Sequence, residues 1–235
     1  MNSGSRLNSG RVTCLILCLG LLSITGLGQQ RRRRASDAER HTAAAARVFN
    51  EIMATPDKSI PRELIDKAEA IAVFPGTLKA AFIFGGRGGQ GVISRRNTRG
   101  WSAPAFFNIG GGSFGLQIGA EKTDFILLIM NEDGVNGLLK DKFEFGGEAG
   151  VAAGPVGRTA AASTNARLQA GILSYSRSKG AFIGVSLKGS FITPDNDLNE
   201  AYYGQRATEL LSAPTQPVNE MPAEVRRFPQ ALSRY

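Results

Sequence analysis

Between residues 36 and 74 the spacing of apolar positions changes from a helical period to an unbroken run. Ala45, Val48, Phe49, Ile52 and Met53 recur at three- and four-residue intervals, which predicts an amphipathic helix ending before Pro56. Ser36-Asp37-Ala38-Glu39 has the spacing of a capping box and marks its start. Its apolar stripe reads as a core face rather than a membrane face. A second helix is predicted from about Ser59, with Pro61 in its first turn and Glu63, Leu64, Lys67 and Ala68 along it. Ala70-Ile71-Ala72-Val73-Phe74 has no polar position, which predicts a short strand closed by Pro75-Gly76.

From Lys79 to Ile192 short β-prone runs alternate with glycines, predicting strands over 80–85, 91–96, 103–109, 113–121, 124–130, 143–152, 170–177 and 181–192. In 113–120, Phe114, Leu116 and Ile118 alternate with Gly115, Gln117 and Gly119, so one face is apolar and the other is nearly bare backbone. A degenerate repeat recurs at Phe82-Ile83-Phe84-Gly85-Gly86, Phe107-Asn108-Ile109-Gly110-Gly111 and Phe143-Glu144-Phe145-Gly146-Gly147, at unequal spacings that exclude a solenoid or propeller. Glycine at these places predicts bends or close approach. A short helix is predicted over Asp133 to Asp141 and a closing helix over Leu198 to Leu211, followed by a Pro-rich tail that is mostly extended until Phe228. The fold class is α+β: a strongly curved, glycine-rich antiparallel β-sheet, barrel- or sandwich-like, flanked by N-terminal and C-terminal helices.

The first residues do not belong to that pattern. Arg6 and Arg11 precede an apolar run from Val12 to Leu22, and Gly26-Leu27-Gly28 supplies small residues for cleavage. This predicts a signal peptide over 1–28, then a basic linker over 29–35, the folded domain over 36–211 and the tail over 212–235. The chain is therefore expected to be exported, to the periplasm or envelope. The alternative is a membrane tether through an uncleaved signal anchor, because Arg31 to Arg34 oppose translocation. Both cysteines, Cys14 and Cys18, fall inside the predicted signal, so a cleaved chain has no thiol chemistry. Charge follows the same division. Removing the arginines at 6, 11 and 31–34 from 28 basic residues leaves 22 against 20 acidic ones. The folded part is nearly neutral, which argues against a nucleic-acid partner.

Gly86-Arg87-Gly88-Gly89-Gln90-Gly91 matches the dinucleotide-binding pattern G-x-G-x-x-G, but no helix follows it. Gly91-Val92-Ile93-Ser94 is β-prone and runs into the turn Asn97-Thr98-Arg99-Gly100, and no acidic residue stands at the ribose position. The stretch reads instead as a hairpin or bulge with Arg87 at its turn, its glycines supplying positive φ. The only histidine, His41, lies in the first helix, which removes histidine-centred triads and most zinc sites. Glu121, Asp124, Glu132, Asp133, Glu144 and Glu148 have no spacing that singles out an acid/base pair or a calcium loop. No enzyme activity, cofactor or metal is expected.

Val73-Phe74-Pro75, then Lys79 through Val92, resembles the SYLF family of lipid-binding domains. Further blocks agree in order: Gly100 to Phe106, Gly119 to Asp124 with the strand after it, Ala152 to Arg158, Tyr175 to Ser186, and Tyr203-Gly204. The resemblance covers roughly 40–211. It implies a non-enzymatic protein that binds phospholipid membranes, with phosphoinositide preference and actin binding in eukaryotic relatives. The family's basic positions fall on Lys79, Arg87, Arg158, Arg177 and Lys179, which become candidate contacts to an anionic headgroup, arginine as a fork and lysine as a compact charge. The expected partner is an anionic phospholipid or membrane surface, with actin unlikely for an exported protein. The rival reading is an envelope structural or protein-interaction module without lipid specificity, and homo-oligomerisation stays open under either.

Overall fold

The structure is a computed structural model that describes residues 33–55, 59–81, 84–114, 119–146, 150–157, 170–178, 180–213 and 217–235. The predicted signal peptide, most of the basic linker and the candidates Arg158 and Lys179 lie outside the described residues. Helix α1 covers 33–53, so Ser36 sits inside it and does not cap it. Helix α2, Arg62–Lys67, follows. Strands β1 (Ala70–Ala81), β2 (Phe84–Asn97), β3 (Gly100–Trp101), β4 (Ala105–Phe114) and β5 (Gly119–Ile129) lead to α3 (Glu132–Leu138). Then come β6 (Phe143–Glu144), β7 (Val151–Ala153), β8 (Ile172–Ser178), β9 (Ala181–Gly184) and β10 (Ser190–Pro194). Helices α4 (Asn196–Tyr203), α5 (Ala207–Ser212) and α6 (Arg227–Leu232) complete the chain. Among the described residues, no helix is long and apolar enough to cross a membrane.

The mixed α+β architecture is a strongly curled half-barrel sheet with helices at both ends. Strand order is β6-β10-β4-β2-β1-β5-β8-β7, with β3 beside β2 and β9 beside β8. Neighbours are antiparallel except β7 and β8, which run parallel. The all-apolar runs are the middle of this sheet. Ile71 and Val73 enter one core with Ile126, Leu128 and the α1 residues Val48, Phe49 and Ile52. Ala70, Ala72 and Phe74 enter a second core with Phe125, Leu127, Ile129, Val135 and Leu138 of α3, and Leu210 and Leu211 of α5. Both faces of β1 and β5 are covered here, which is why neither run has room for a polar residue.

Several predicted boundaries are corrected. The strand predicted over 113–121 takes in the end of β4 at Phe114 and the start of β5 at Gly119, with 115–118 outside the described residues. The run at 181–192 divides into β9 and β10, and 143–152 into β6 and β7. The closing helix breaks at Gly204, whose φ of 70° ends α4. Packing also continues past 211: Met221, Val225, Phe228 and Leu232 are buried, and the last three of these join the α1 core. Asn199 docks α4 onto β4 as a backbone would, its Oδ1 accepting from the Phe106 N–H at 2.8 Å and its Nδ2 donating to the Phe106 carbonyl at 3.0 Å.

Candidate functional site

Past its apolar middle, β1 is bent by a register shift between Val73 and Leu78 against β2 and between Phe74 and Thr77 against β5. Gly76 takes φ 58° in this bulge, a conformation that costs glycine little. The bulge presses β1 into β2. A Cβ on Gly91 would lie 2.3 Å from the Val73 carbonyl oxygen and 2.5 Å from the Phe74 ring, and one on Gly89 would lie 2.5 Å from Thr77 Oγ1. A Cβ on Gly88 meets nothing within 4 Å. No glycine from 86 to 91 is among those with positive φ, so the expectation that these glycines serve a turn is corrected. Two of them are required by close strand approach.

Arg87 is accordingly not at a turn. It lies within β2, directly opposite Lys79 of β1, and Lys79 lies directly opposite Glu121 of β5. By strand alternation this row shares the face of the second core, and the Arg87 guanidinium stands 5.9 Å from the centre of the Phe125 ring. Arg87 Nε is buried with no hydrogen-bond partner. Burial pushes the Arg87 pKa down, and among the described residues no acid pushes it back. Glu121, by contrast, is held by the Ser178 hydroxyl, which donates to its Oε1. Arg87, Lys79 and Glu121 are each partly exposed, and the exposed Gly86, Gly88, Leu78 and Lys122 alternate with them along the strands and so face the other side of the sheet.

Arg177 belongs elsewhere. Its strand partner is Asp124, on the α1 face. Nε and Nη2 both donate to Asp124 Oδ2, at 2.9 and 2.7 Å, and Nη1 donates to Glu51 Oε2 of α1 at 2.5 Å. Asp124 Oδ1 accepts the Gly76 N–H at 2.7 Å, so one carboxylate ties the bulge to Arg177 and Arg177 ties both to α1. Burial disfavours the Arg177 charge, yet the hydrogen bonds it donates to Glu51 and Asp124 outweigh it and hold the pKa above its ordinary value. The structure thus brings Lys79 and Arg87 together and places Arg177 on the opposite face, with its guanidinium committed to fastening helix to sheet.

The cation pair was legible in principle. Ala81 lies opposite Gly85, and counting outward from that pair sets Lys79 against Arg87; reading 80–85 as one strand hides this. Nothing local signals Glu51 as a partner of Arg177, 126 positions away. Among the described residues no group of three or more His, Cys, Asp or Glu is placed to hold a metal ion. His41 is half-buried and its pKa is lowered, by burial first and then by Arg40, against the opposing pull of Asp37 and Asp195.

Comparison with known proteins places this geometry in context. Residues 110–235, more than half of the chain, match a family model described as "Ysc84: Las17-binding protein actin regulator". The yeast (Saccharomyces cerevisiae) "LAS seventeen-binding protein 3" is 39% identical over 156 residues, covering 65% of this chain and 34% of the relative. The "SH3 domain-containing YSC84-like protein 1" of Xenopus laevis is 34% identical over 186 residues, covering 75% of this chain and 55% of the relative. The human protein of the same name is 35% identical over 179 residues, covering 74% and 52%. The chain therefore spans about a third of the yeast relative's length and about half of the vertebrate ones. These names correct the expected partners. An anionic phospholipid or membrane partner, with actin-related partners unlikely, gives way to relatives described by Las17 binding and actin regulation. The exclusion had rested on export alone, which says nothing about what a domain of this shape recognises.

Proposed function

We propose, from the premise that this chain belongs to the SYLF family represented by the Ysc84 model, that it is a non-enzymatic protein-binding module whose partners are actin regulators. The glycine-rich end of the sheet is its docking surface. One observation carries the reading: a half-buried guanidinium, Arg87, stands opposite a second cation, Lys79, at the glycine-rich end of the sheet, and among the described residues no acid neutralises it. A fold that keeps such a group uncompensated is supported by a partner that supplies the missing charge. Apolar contact is available from Ile183, which is 55% exposed and shares the face of Phe125 through Ser176. The absence of positioned acid/base groups in the sequence favours binding over turnover.

The test is retention of the full chain on actin filaments by co-sedimentation and on immobilised Las17, beside flotation with phosphatidylcholine vesicles with and without phosphatidylserine. Retention on filaments or Las17, lost in a Lys79→Glu/Arg87→Glu variant that keeps the parent circular dichroism and melting, is the expected result. Retention on neither overturns the reading, and flotation with anionic vesicles alone replaces it with a membrane surface.

A further inference from the structure

The charges at the glycine-rich end do not balance, and the imbalance has a defined size. Across the sheet the row runs Ser190, Gly111, Arg87, Lys79, Glu121. Like charges directly opposed on one face repel, so Lys79 beside Arg87 is unfavourable unless something intervenes. Glu121 offsets one of the two cations, and it does so from the far side of Lys79, where Ser178 holds it. On the other side Arg87 faces Gly111, which has no side chain to offer. One net positive charge is left over, and it belongs to Arg87. The buried Nε of that arginine has an N–H with nowhere to donate, although such groups are normally paired.

We infer that the Arg87–Lys79–Glu121 row is a binding site for one singly charged oxyanion, a carboxylate, presented by an acidic side chain of a docked protein segment. This rests on the reading that the glycine-rich end docks a protein. The fork formed by Nε and one Nη matches the two oxygens of a carboxylate, and the bond to Nε satisfies the donor that the fold leaves unpaired. Lys79 adds a point charge from the neighbouring strand. Glu121 sets the preference. A phosphate monoester, carrying about −1.5 to −2 at neutral pH, leaves excess negative charge against the Glu121 carboxylate, whereas a single carboxylate neutralises the row.

The Nε–Hε resonance of Arg87, assigned in nitrogen-15-labelled full chain by its loss in Arg87→Gln, reads the site directly. It is titrated at constant ionic strength and pH 7.5 with acetate, with a short glutamate-containing peptide, and with inorganic phosphate. The expected result is a saturable downfield shift with acetate and with the peptide, and a weaker response to phosphate. Lys79→Gln weakens the carboxylate response several-fold. Glu121→Gln removes the discrimination, so that phosphate binds at least as well as acetate. No saturable shift with either carboxylate probe overturns the inference, as does tighter phosphate than acetate binding in the unaltered chain. The two readings fail separately. A saturable carboxylate response in a chain that neither filaments nor Las17 retain removes the docking function and leaves the site. Retention without any response at Arg87 removes the site and leaves the docking function.

Discussion

Gly91→Ala and Gly88→Ala, two identical changes three positions apart in one glycine-rich strand, are expected to act in opposite directions. At position 91 the new methyl lands 2.3 Å from a backbone oxygen of β1 and 2.5 Å from the Phe74 ring, and Phe74 is fully buried in the second core. Neither obstacle is the end of a flexible side chain. The strands must part or the ring must leave its place, so the cost is that of overpacking a core, about 1 to 3 kcal/mol. At position 88 nothing lies within 4 Å and φ is not positive, so alanine costs nothing sterically. It restricts the unfolded chain, which stabilises by about 0.4 to 1 kcal/mol. The two variants should therefore differ by roughly 1.4 to 4 kcal/mol, the sum of these opposite effects. Urea unfolding followed by fluorescence reads this through Trp101, the single tryptophan, which is 2% exposed. For a domain of this size the Gly91→Ala cost corresponds to a fall of roughly 2 to 12 °C in melting temperature. Equal stability of the two variants refutes the reasoning, because it means that the glycines act by a shared loop conformation and not by position-specific strand contact.

Arg177→Met removes three hydrogen bonds to carboxylates and unfastens α1 from the bulge; it should cost about 2 kcal/mol, with Arg177→Lys recovering less than half because a lysine cannot reproduce the fork on Asp124. The same urea assay checks it, and full recovery by lysine contradicts the geometry. Asn199→Leu orphans the Phe106 N–H at a buried site and should cost about 2 kcal/mol or more, seen as a lower urea midpoint; a neutral outcome means that α4 docks by apolar contact alone. His41 has a lowered pKa in the fold against 6.5 in the unfolded chain, so the unfolded state binds the proton first as pH falls. The stability it contributes is complete above about pH 6.5 and declines as pH falls toward the folded-state value. His41→Gln should flatten the melting-temperature profile between about pH 7.5 and 5; an unchanged profile assigns the acid sensitivity to other groups.

The helices and the covered middle of the sheet were readable from local pattern. Val48, Phe49 and Ile52 recur on a helical period because a helix can bury only one stripe, and they do enter the core beneath α1. Ala70 to Phe74 and Phe125 to Ile129 have no polar residue because both faces of those strands are covered, and that too is visible in a single run of residues. What was not readable depends on how distant segments meet. Sheet register is set by where a hairpin folds and where a bulge intervenes, and a slip of one residue sends every side chain to the other face. Register sets Lys79 against Arg87 and turns Arg177 away from both, although all three looked alike as basic residues near glycines. Packing of a terminal helix onto the sheet, 126 positions from the strand it meets, then decides that Arg177 is already neutralised while Arg87 is not. Local periodicity records which residues avoid water. It does not record which charge meets which, because that is settled only when the chain closes on itself.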